Sequence, residues 1–121
     1  MKRSINTKEL VHYPLCDAVI NDDMDSLDAI LASGADVDGT DYNGLTALFY
    51  AAEWGRVAMA EKLLIKGANI EFRDSYGNTP LMKAVYWVFK YGIEMIDLLI
   101  SYGADINAKN TTDAINICLK V

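Results

Sequence analysis

The chain has 121 residues, of which 52% are hydrophobic and 23% charged, and its net charge at pH 7 is −6. This size and composition are typical of one globular domain with its own core. No uncharged run approaches the ~20 residues of a transmembrane helix. The first residues, "MKRSINTKEL", lack the apolar region of a secretory signal. We therefore expect a cytoplasmic protein that does not associate with membranes.

The negative charge is concentrated in the first half of the chain. No lysine or arginine lies between Lys8 and Arg56, whereas ten carboxylates do, and the remainder is nearly balanced. Binding to nucleic acid is unfavourable for such a surface, because phosphates require Lys and Arg. An acidic surface favours encounter with a basic protein. It can equally be a solvated outer face that keeps the protein soluble.

Three similar segments follow one another along the chain. They are "SGADVDGTDYNG" from Ser33, "KGANIEFRDSYG" from Lys66 and "YGADINAKNTTD" from Tyr102. The step between their glycines is 33 residues and then 36 residues. Five further positions recur with the step of 33: Asp41, Gly44, Thr46, Leu48 and Ala51 correspond to Asp74, Gly77, Thr79, Leu81 and Ala84.

The residue pattern of each unit predicts, in chain order, a first helix, a second helix and an extended turn. The first helices contain "YPLCDAV" (13–19), "TALFYAA" (46–52) and "TPLMKAV" (79–85). Thr46 and Thr79 are suited to cap them, and Pro80 suits the N1 position. Their narrow apolar stripe, Leu48, Ala51, Leu81 and Ala84, predicts close helix packing. The second helices should end on their core side at Ile30–Leu31, Leu63–Leu64 and Leu99–Ile100, before the left-handed glycines Gly34, Gly67 and Gly103.

These stretches, above all "NGLTALFYAAEWG" and "YGNTPLMKAVYW", resemble the ankyrin repeat, whose period is about 33 residues. The resemblance covers roughly residues 8–121. It implies an all-α solenoid of stacked helix–turn–helix units with extended, β-turn-like loops, forming a single domain. The predicted repeats are 8–40, 41–73 and 74–109, and a short capping helix is expected in residues 110–121.

The sequence departs from the family pattern in two places. Ankyrin repeats usually carry histidine after Thr-Pro-Leu, and we expect packing to replace its loop hydrogen bonds here. That slot holds Cys16, Phe49, Met82 and Cys118. The third unit is also longer: aligning Trp54 with Trp87 leaves three extra residues, which we place at Val88, Phe89 and Lys90, in the turn between the two helices.

The family commonly binds partners through a concave surface made of turn tips and the exposed side of each first helix. Exposed aromatic residues there would be interface anchors. The alternative is that Trp54 and Trp87 stack on each other and seal the helix–turn edge, and the two roles are compatible. The resemblance assigns to this surface Tyr42, Asn43, Leu45, Glu53, Trp54, Ser75, Tyr76, Asn78, Tyr86 and Trp87, bordered by Phe89 and Tyr91, with Glu9, Leu10, His12, Ile20 and Asn21 from the first unit.

Catalytic and metal-binding motifs find little support. His12 is the only histidine, which excludes a two-histidine metal site within the chain. A nucleophile formed by His12, Cys16 and Asp17 would lack a glycine-rich oxyanion loop. "DVDGTDYNG" (36–44) superficially resembles a calcium loop, but its sixth position is Asp41 and its twelfth is Ala47. We expect no cofactor.

The two cysteines occupy equivalent slots three repeats apart. Stacking at roughly 8–10 Å per unit separates Cys16 and Cys118 by about 25–30 Å. A disulfide requires Cα atoms within about 7 Å, so we expect none within the chain.

The sequence therefore predicts a non-catalytic protein that binds another protein through its concave aromatic surface. A narrower form is a monomeric inhibitor or immunity-type protein that neutralises a basic toxic enzyme. The alternative is a scaffold or adaptor that self-associates, or joins a larger assembly, through a thinly covered C-terminal end around Ile93, Ile96 and Ile117.

Overall fold

The computed structural model describes residues 13–110. That part contains seven helices and no strand, and an isolated bridge joins Thr40 to Thr46. The expected all-α solenoid is therefore confirmed over these residues. The helices are α1 (Pro14–Ile20), α2 (Met24–Ala32), α3 (Ala47–Trp54), α4 (Val57–Ile65), α5 (Pro80–Tyr86), α6 (Val88–Tyr91) and α7 (Glu94–Ser101).

The helices form three antiparallel pairs that stack in a row. α1 packs on α2, α3 on α4, and α5 on α7, while α1, α3 and α5 lie side by side. The second helices α4 and α7 also pack together. The predicted stripe residues Leu48, Ala51, Leu81 and Ala84 are all buried between the helices. Burial of a leucine side chain contributes about 1.5–3 kcal/mol, so the row is stabilised mainly at the faces where neighbouring repeats meet.

The predicted helix boundaries are confirmed. The Thr46 hydroxyl accepts from the Phe49 N–H at 3.2 Å, and that of Thr79 accepts from the Met82 N–H at 3.4 Å. The three predicted C′ glycines are left-handed: Gly34, Gly67 and Gly103 have φ of +85°, +88° and +92°.

One predicted core position is wrong. Leu99 is fully buried, but its neighbour Ile100 is 46% exposed. A helix turns by about 100° per residue, so two adjacent residues are both buried only where neighbouring elements cover both directions. In α4, both Leu63 and Leu64 are buried.

The tips of the extended turns are tied to one another by carboxylates that accept backbone hydrogen bonds. Asp38 accepts from the Asn69 N–H, and Glu71, which is 33 residues further on, accepts from the Asp105 N–H, each at 2.6 Å. Arg73 donates to the carbonyl oxygen of Lys109 at 2.8 Å. These bonds satisfy turn backbone that has no helix or sheet partner.

The slot of the missing histidine is filled in three ways. Phe49 packs edge-on against Phe72 at 5.9 Å between ring centroids, as expected. The Met82 sulfur accepts from the Thr79 N–H at 3.4 Å. The Cys16 thiol donates to the carbonyl oxygen of Leu45 at 3.6 Å. The expectation that packing replaces the loop hydrogen bonds is therefore wrong at Cys16 and at Met82.

The extra residues of the third repeat lie in the turn between its two helices, where the alignment places them. They form a helical turn of their own, α6 (Val88–Tyr91), after Trp87. The paired helices α5 and α7 keep the packing of the other repeats, so the insertion changes the surface and leaves the stack intact.

Within residues 13–110, no helix is long and apolar enough to cross a membrane. The repeat boundaries given above stay predictions. The capping helix expected in 110–121 and the residues Ile117 and Cys118 lie outside the described residues.

Candidate functional site

The first part of the predicted surface is a turn tip organised by Asp41. One carboxylate oxygen of Asp41 accepts from the N–H groups of Asn43 and Leu45 at 2.9 and 3.2 Å. The other accepts from the Tyr50 hydroxyl at 2.5 Å, and the Asn43 amide donates to that hydroxyl at 3.1 Å. Burial and the bond to Asp41 raise the pKa of Tyr50 above its usual value. The network fixes the turn that presents Tyr42, which is 56% exposed.

The next tip repeats this design with fewer bonds. Asp74 accepts from the N–H groups of Tyr76 and Asn78 at 2.9 and 2.8 Å, and from the Asn78 side chain at 3.2 Å. No tyrosine occupies the place of Tyr50, because Lys83 stands at that position. Tyr76 is 68% exposed. Residues 42–45 and 75–78 therefore form one surface, which we call the tip group.

A second set of aromatic side chains lies at the opposite end of the first helices. Trp54 ends α3 and is 39% exposed, and the Arg56 guanidinium lies 5.6 Å from its ring centroid. Arg56 is held in turn by the carbonyl oxygens of Val19 and Ile20, each at 3.2 Å. The first and second repeats therefore meet at Arg56.

The third repeat adds three rings that contact one another. The Trp87 ring lies 5.1 Å from that of Tyr86 and 6.3 Å from that of Tyr91. The Lys90 ammonium lies 6.0 Å from the Trp87 ring and 5.3 Å from the Tyr91 ring, at cation–π distance. The Trp87 indole N–H is buried and has no acceptor in the described part of the chain. Trp87 therefore acts partly as packing.

Phe89 and Tyr91 leave the short helix α6 in different environments. Phe89 is fully exposed, whereas Tyr91 is half-buried and its ring covers Gly55 of the preceding repeat. Together with Trp54, Tyr86 and Trp87, these two residues form what we call the helix-end group. α6 is thus anchored through one aromatic ring and presents the other to solvent.

The structure divides the predicted site into these two groups. The tip group precedes the first helices and the helix-end group follows them. α3 has eight residues, so its ends are separated by about 12 Å. The order of these residues along the sequence does not indicate this separation.

The predicted residues also differ in exposure. Tyr42, Asn43, Trp54, Ser75, Tyr76, Tyr86 and Phe89 are exposed, whereas Leu45, Glu53, Asn78, Trp87 and Tyr91 are half-buried. In the first repeat, Asn21 is exposed and Ile20 packs against the core. Glu9, Leu10 and His12 lie outside the described residues.

The alternative in which the two indoles stack on each other is wrong. The Trp87 ring contacts Tyr86 and Tyr91, the Trp54 ring faces Arg56, and no ring contact between the indoles occurs within residues 13–110. The sealing role belongs instead to Tyr91 on Gly55.

Basic side chains lie among these rings, and none of them is among the predicted site residues. Lys83 forms an ion pair with Glu53 at 3.3 Å, and its ammonium lies 5.9 Å from the Phe49 ring and 5.7 Å from the Tyr86 ring. Lys83 occupies the position that Tyr50 holds in the preceding repeat. The replacement of a tyrosine by a lysine at equivalent positions was therefore visible in the sequence.

The structure also bears on the reactivity of Cys16 and on the role of the aspartates in residues 36–44. Burial first, and then the charges of Asp41 and Asp17, raise the pKa of the Cys16 thiol to about 12. At neutral pH the thiol is protonated, so it is a poor nucleophile. In the stretch that resembles a calcium loop, Asp36, Asp38 and Asp41 all accept backbone N–H bonds, as turn residues do.

Stability should fall at alkaline pH. The unfolded thiol ionises near its ordinary pKa of 9.0, whereas the folded Cys16 keeps its proton until about pH 12. The folded state therefore binds more protons, and the free energy of unfolding falls as pH rises through this window, by less than about 1.4 kcal/mol per pH unit. The raised pKa of Tyr50 steepens the fall above its ordinary value of 10.0. Urea unfolding followed by circular dichroism measures this, and Cys16→Ala should flatten the slope between the ordinary pKa values of the two groups. An unchanged slope in that variant would contradict the assignment.

Comparison with known proteins agrees with the fold and the turn geometry. Residues 15–110 match the family model described as ankyrin repeats in three copies. The chain is an ankyrin-repeat protein. Ankyrin repeats indicate a protein–protein interaction module.

Similar ankyrin-repeat segments occur in much longer proteins. The chain is 31% identical over 131 residues to a putative ankyrin repeat protein of Acanthamoeba polyphaga mimivirus, covering 91% of this chain and 18% of that protein. It is 38% identical over 85 residues to ankyrin repeat and SOCS box protein 5 of Oryctolagus cuniculus, covering 70% and 25%. It is 33% identical over 105 residues to an L-asparaginase of Dirofilaria immitis, covering 87% and 17%. The chain therefore spans a quarter or less of each of these relatives.

Proposed function

We propose that this ankyrin-repeat protein is non-catalytic and holds a partner protein on the surface formed by its first helices, their turn tips and their helix-end group. The observation that carries the proposal is the exposure of large aromatic side chains on two consecutive repeats. Tyr42 and Tyr76 are more than half exposed, as are Tyr86 and Phe89, and Trp54 is 39% exposed. Such side chains supply most of the binding energy in protein interfaces.

Charge supports a basic partner. The net charge is −6, and the first repeat carries several exposed carboxylates on α1 and α2, such as Asp17 and Asp25. A basic target would be steered towards such a surface. An inhibitor or immunity-type protein that covers a basic toxic enzyme is the narrower form of this proposal. A cytoplasmic location stays a prediction from the sequence.

Substitution of Trp54 and Tyr86 by alanine should abolish partner capture and leave the fold intact. Tyr86 is 73% exposed and Trp54 is 39% exposed, so removing them costs less burial than removing Trp87, which is half-buried. The measurement compares proteins retained from an extract of the source organism by the wild-type chain and by the double variant. Circular dichroism checks the fold.

The matched control is Ile65→Ala on the second helix α4, where the side chain is 66% exposed and distant from both aromatic groups along the chain. Capture should survive this change. If the double variant retains the same proteins as the wild type, the aromatic surface is not the binding site.

The alternative function, a scaffold that associates through its C-terminal end, is favoured by exposed apolar residues there. Ile93 is 58% exposed and Ile100 is 46% exposed, whereas Ile96 packs against the core. Light scattering tests the self-associating form of this alternative, because a monomer at high concentration is inconsistent with self-association, whereas joining a larger assembly requires the other components.

A further inference from the structure

The turns that join the two helices of each repeat lie side by side. Arg56 of the second turn reaches the end of α1, and Tyr91 of the third repeat covers Gly55 of the second turn. Asp22 of the first turn and Gly55 of the second adopt the same left-handed backbone, with φ of +55° and +71°. Residues 21–23, 54–56 and 87–92 therefore form one continuous edge, which we call the turn edge.

One end of the turn edge is apolar and exposed. Phe89 is fully exposed on α6, and α6 is held in place because Tyr91 packs onto Gly55. Trp54 lies beside this contact with 39% of its surface exposed, and Ile93 follows with 58%. An exposed aromatic side chain on an ordered helical turn is a favourable anchor, because little conformational entropy is lost when a partner covers it.

The other end is acidic. Asp22 and Asp23 are exposed, and the Arg56 guanidinium pairs only loosely with Asp22, at 3.7 Å. Asp23 accepts from the Ser26 hydroxyl at 2.7 Å and from its N–H at 3.1 Å. These bonds lower the pKa of Asp23. Asp25, in the first turn of α2, adds a further exposed carboxylate, so this end carries net negative charge.

We propose that the turn edge binds a single segment of a partner protein, with an apolar side chain against Phe89 and Trp54 and lysine or arginine against Asp22 and Asp23. This rests on the proposed function and specifies where the partner lies and what its binding segment contains. The charge of the edge favours a basic occupant over a second copy of this acidic chain. Three turns spaced at roughly 8–10 Å span about 20 Å, which an extended segment of about six residues covers.

The tip group is less suited to this role. Its carboxylates Asp41 and Asp74 already accept three hydrogen bonds each, and Asp38 and Glu71 accept from the next repeat. The carboxylates that tie the tips together are therefore already engaged, whereas the Asp22 carboxylate makes, among residues 13–110, only the loose pair with Arg56.

The test is selection of the full chain against a phage-displayed library of random dodecapeptides, followed by titration calorimetry with the enriched peptide. Enriched sequences should contain lysine or arginine a few residues from a large apolar side chain. Phe89→Ala should weaken binding at least about tenfold. Because the Phe89 side chain is fully exposed, the melting temperature of the Phe89→Ala variant should match that of the wild type.

The double variant Asp22→Asn, Asp23→Asn should also weaken binding about tenfold and reduce its dependence on salt. Asparagine keeps the helix-capping oxygen of Asp23, so α2 stays capped. The matched control is Ile65→Ala on α4, which lies outside the turn edge and should leave the affinity within about twofold of the wild type. The variant Tyr42→Ala, Tyr76→Ala reports separately whether the tips contribute.

Three results would overturn the inference. Enriched peptides without basic residues, or no enriched peptide at all, would show that the turn edge does not bind a basic segment. Binding that depends on Tyr42 and Tyr76 and not on Phe89 would exclude the turn edge, while the broader proposal of protein binding would stand. Self-association in light scattering that Phe89→Ala abolishes would identify a second copy as the occupant.

Discussion

Asp41→Ala should lower the free energy of unfolding by about 4 kcal/mol. The Asp41 carboxylate is 9% exposed and accepts from two backbone N–H groups and the Tyr50 hydroxyl. Alanine leaves all three donors without an acceptor. The bond from the Tyr50 hydroxyl is buried and the two backbone bonds are partly buried, and a buried donor that loses its partner costs about 1–3 kcal/mol. Urea unfolding followed by far-UV circular dichroism measures the change.

Asp74→Ala is the matched control, because Asp74 holds the equivalent turn in the next repeat without a tyrosine partner and is half-buried. Its loss should cost about 1–2 kcal/mol, since water can reach its former donors. Tyr50→Phe should cost less than Asp41→Ala, because the two backbone bonds remain. Equal costs for the two aspartates would show that burial and the tyrosine contribute nothing.

Gly55→Ala should lower the free energy of unfolding by about 3 kcal/mol. Gly55 ends α3 with φ of +71°, a left-handed conformation that costs a residue with a Cβ about 1–2 kcal/mol. An added Cβ would also lie 2.5 Å from Cγ and 2.7 Å from Cβ of Tyr91. These ring-proximal atoms cannot swing away as the end of a flexible side chain could, so α6 must move. Thermal and urea unfolding measure the loss.

Gly44→Ala isolates the backbone part of this cost. Gly44 has φ of +75°, and an added Cβ there meets nothing within 4 Å. It should cost about 1 kcal/mol. In a Tyr91→Gly background, which removes both Cγ and Cβ of residue 91, the cost of Gly55→Ala should fall to a similar value. If Gly55→Ala costs no more than Gly44→Ala in the wild-type background, the contact between Tyr91 and the second turn is unimportant.

The repeat period, the helix boundaries and the core stripe could be predicted from the sequence because each depends on neighbouring residues. Thr46 caps α3, which begins at the next residue, and Gly34 lies just after the end of α2. The stripe of Leu48 and Ala51 recurs at Leu81 and Ala84, so one repeat serves as a template for the next. Packing between repeats then follows from the recurrence.

The contacts that organise the candidate site could not be predicted in this way. Arg56 donates to residues 36 and 37 positions earlier, and its place in the first repeat is taken by Asp23. Tyr91 belongs to an insertion that the other repeats lack, so nothing in the period indicates that its ring covers Gly55. The separation of the tip group from the helix-end group depends on helix length and direction, which a linear list of exposed positions does not show.

The one-turn helix α6 has a consequence for how this scaffold diversifies. Because the added residues leave the paired helices undisturbed, further turns could be spliced in at the same place without changing the register of the stack. Recognition and architecture are then encoded by separate stretches of the gene. The residues between Trp87 and Tyr91 could therefore be exchanged or randomised to retarget the molecule, while Tyr91 keeps its contact with Gly55 and the surrounding solenoid is reused as it is.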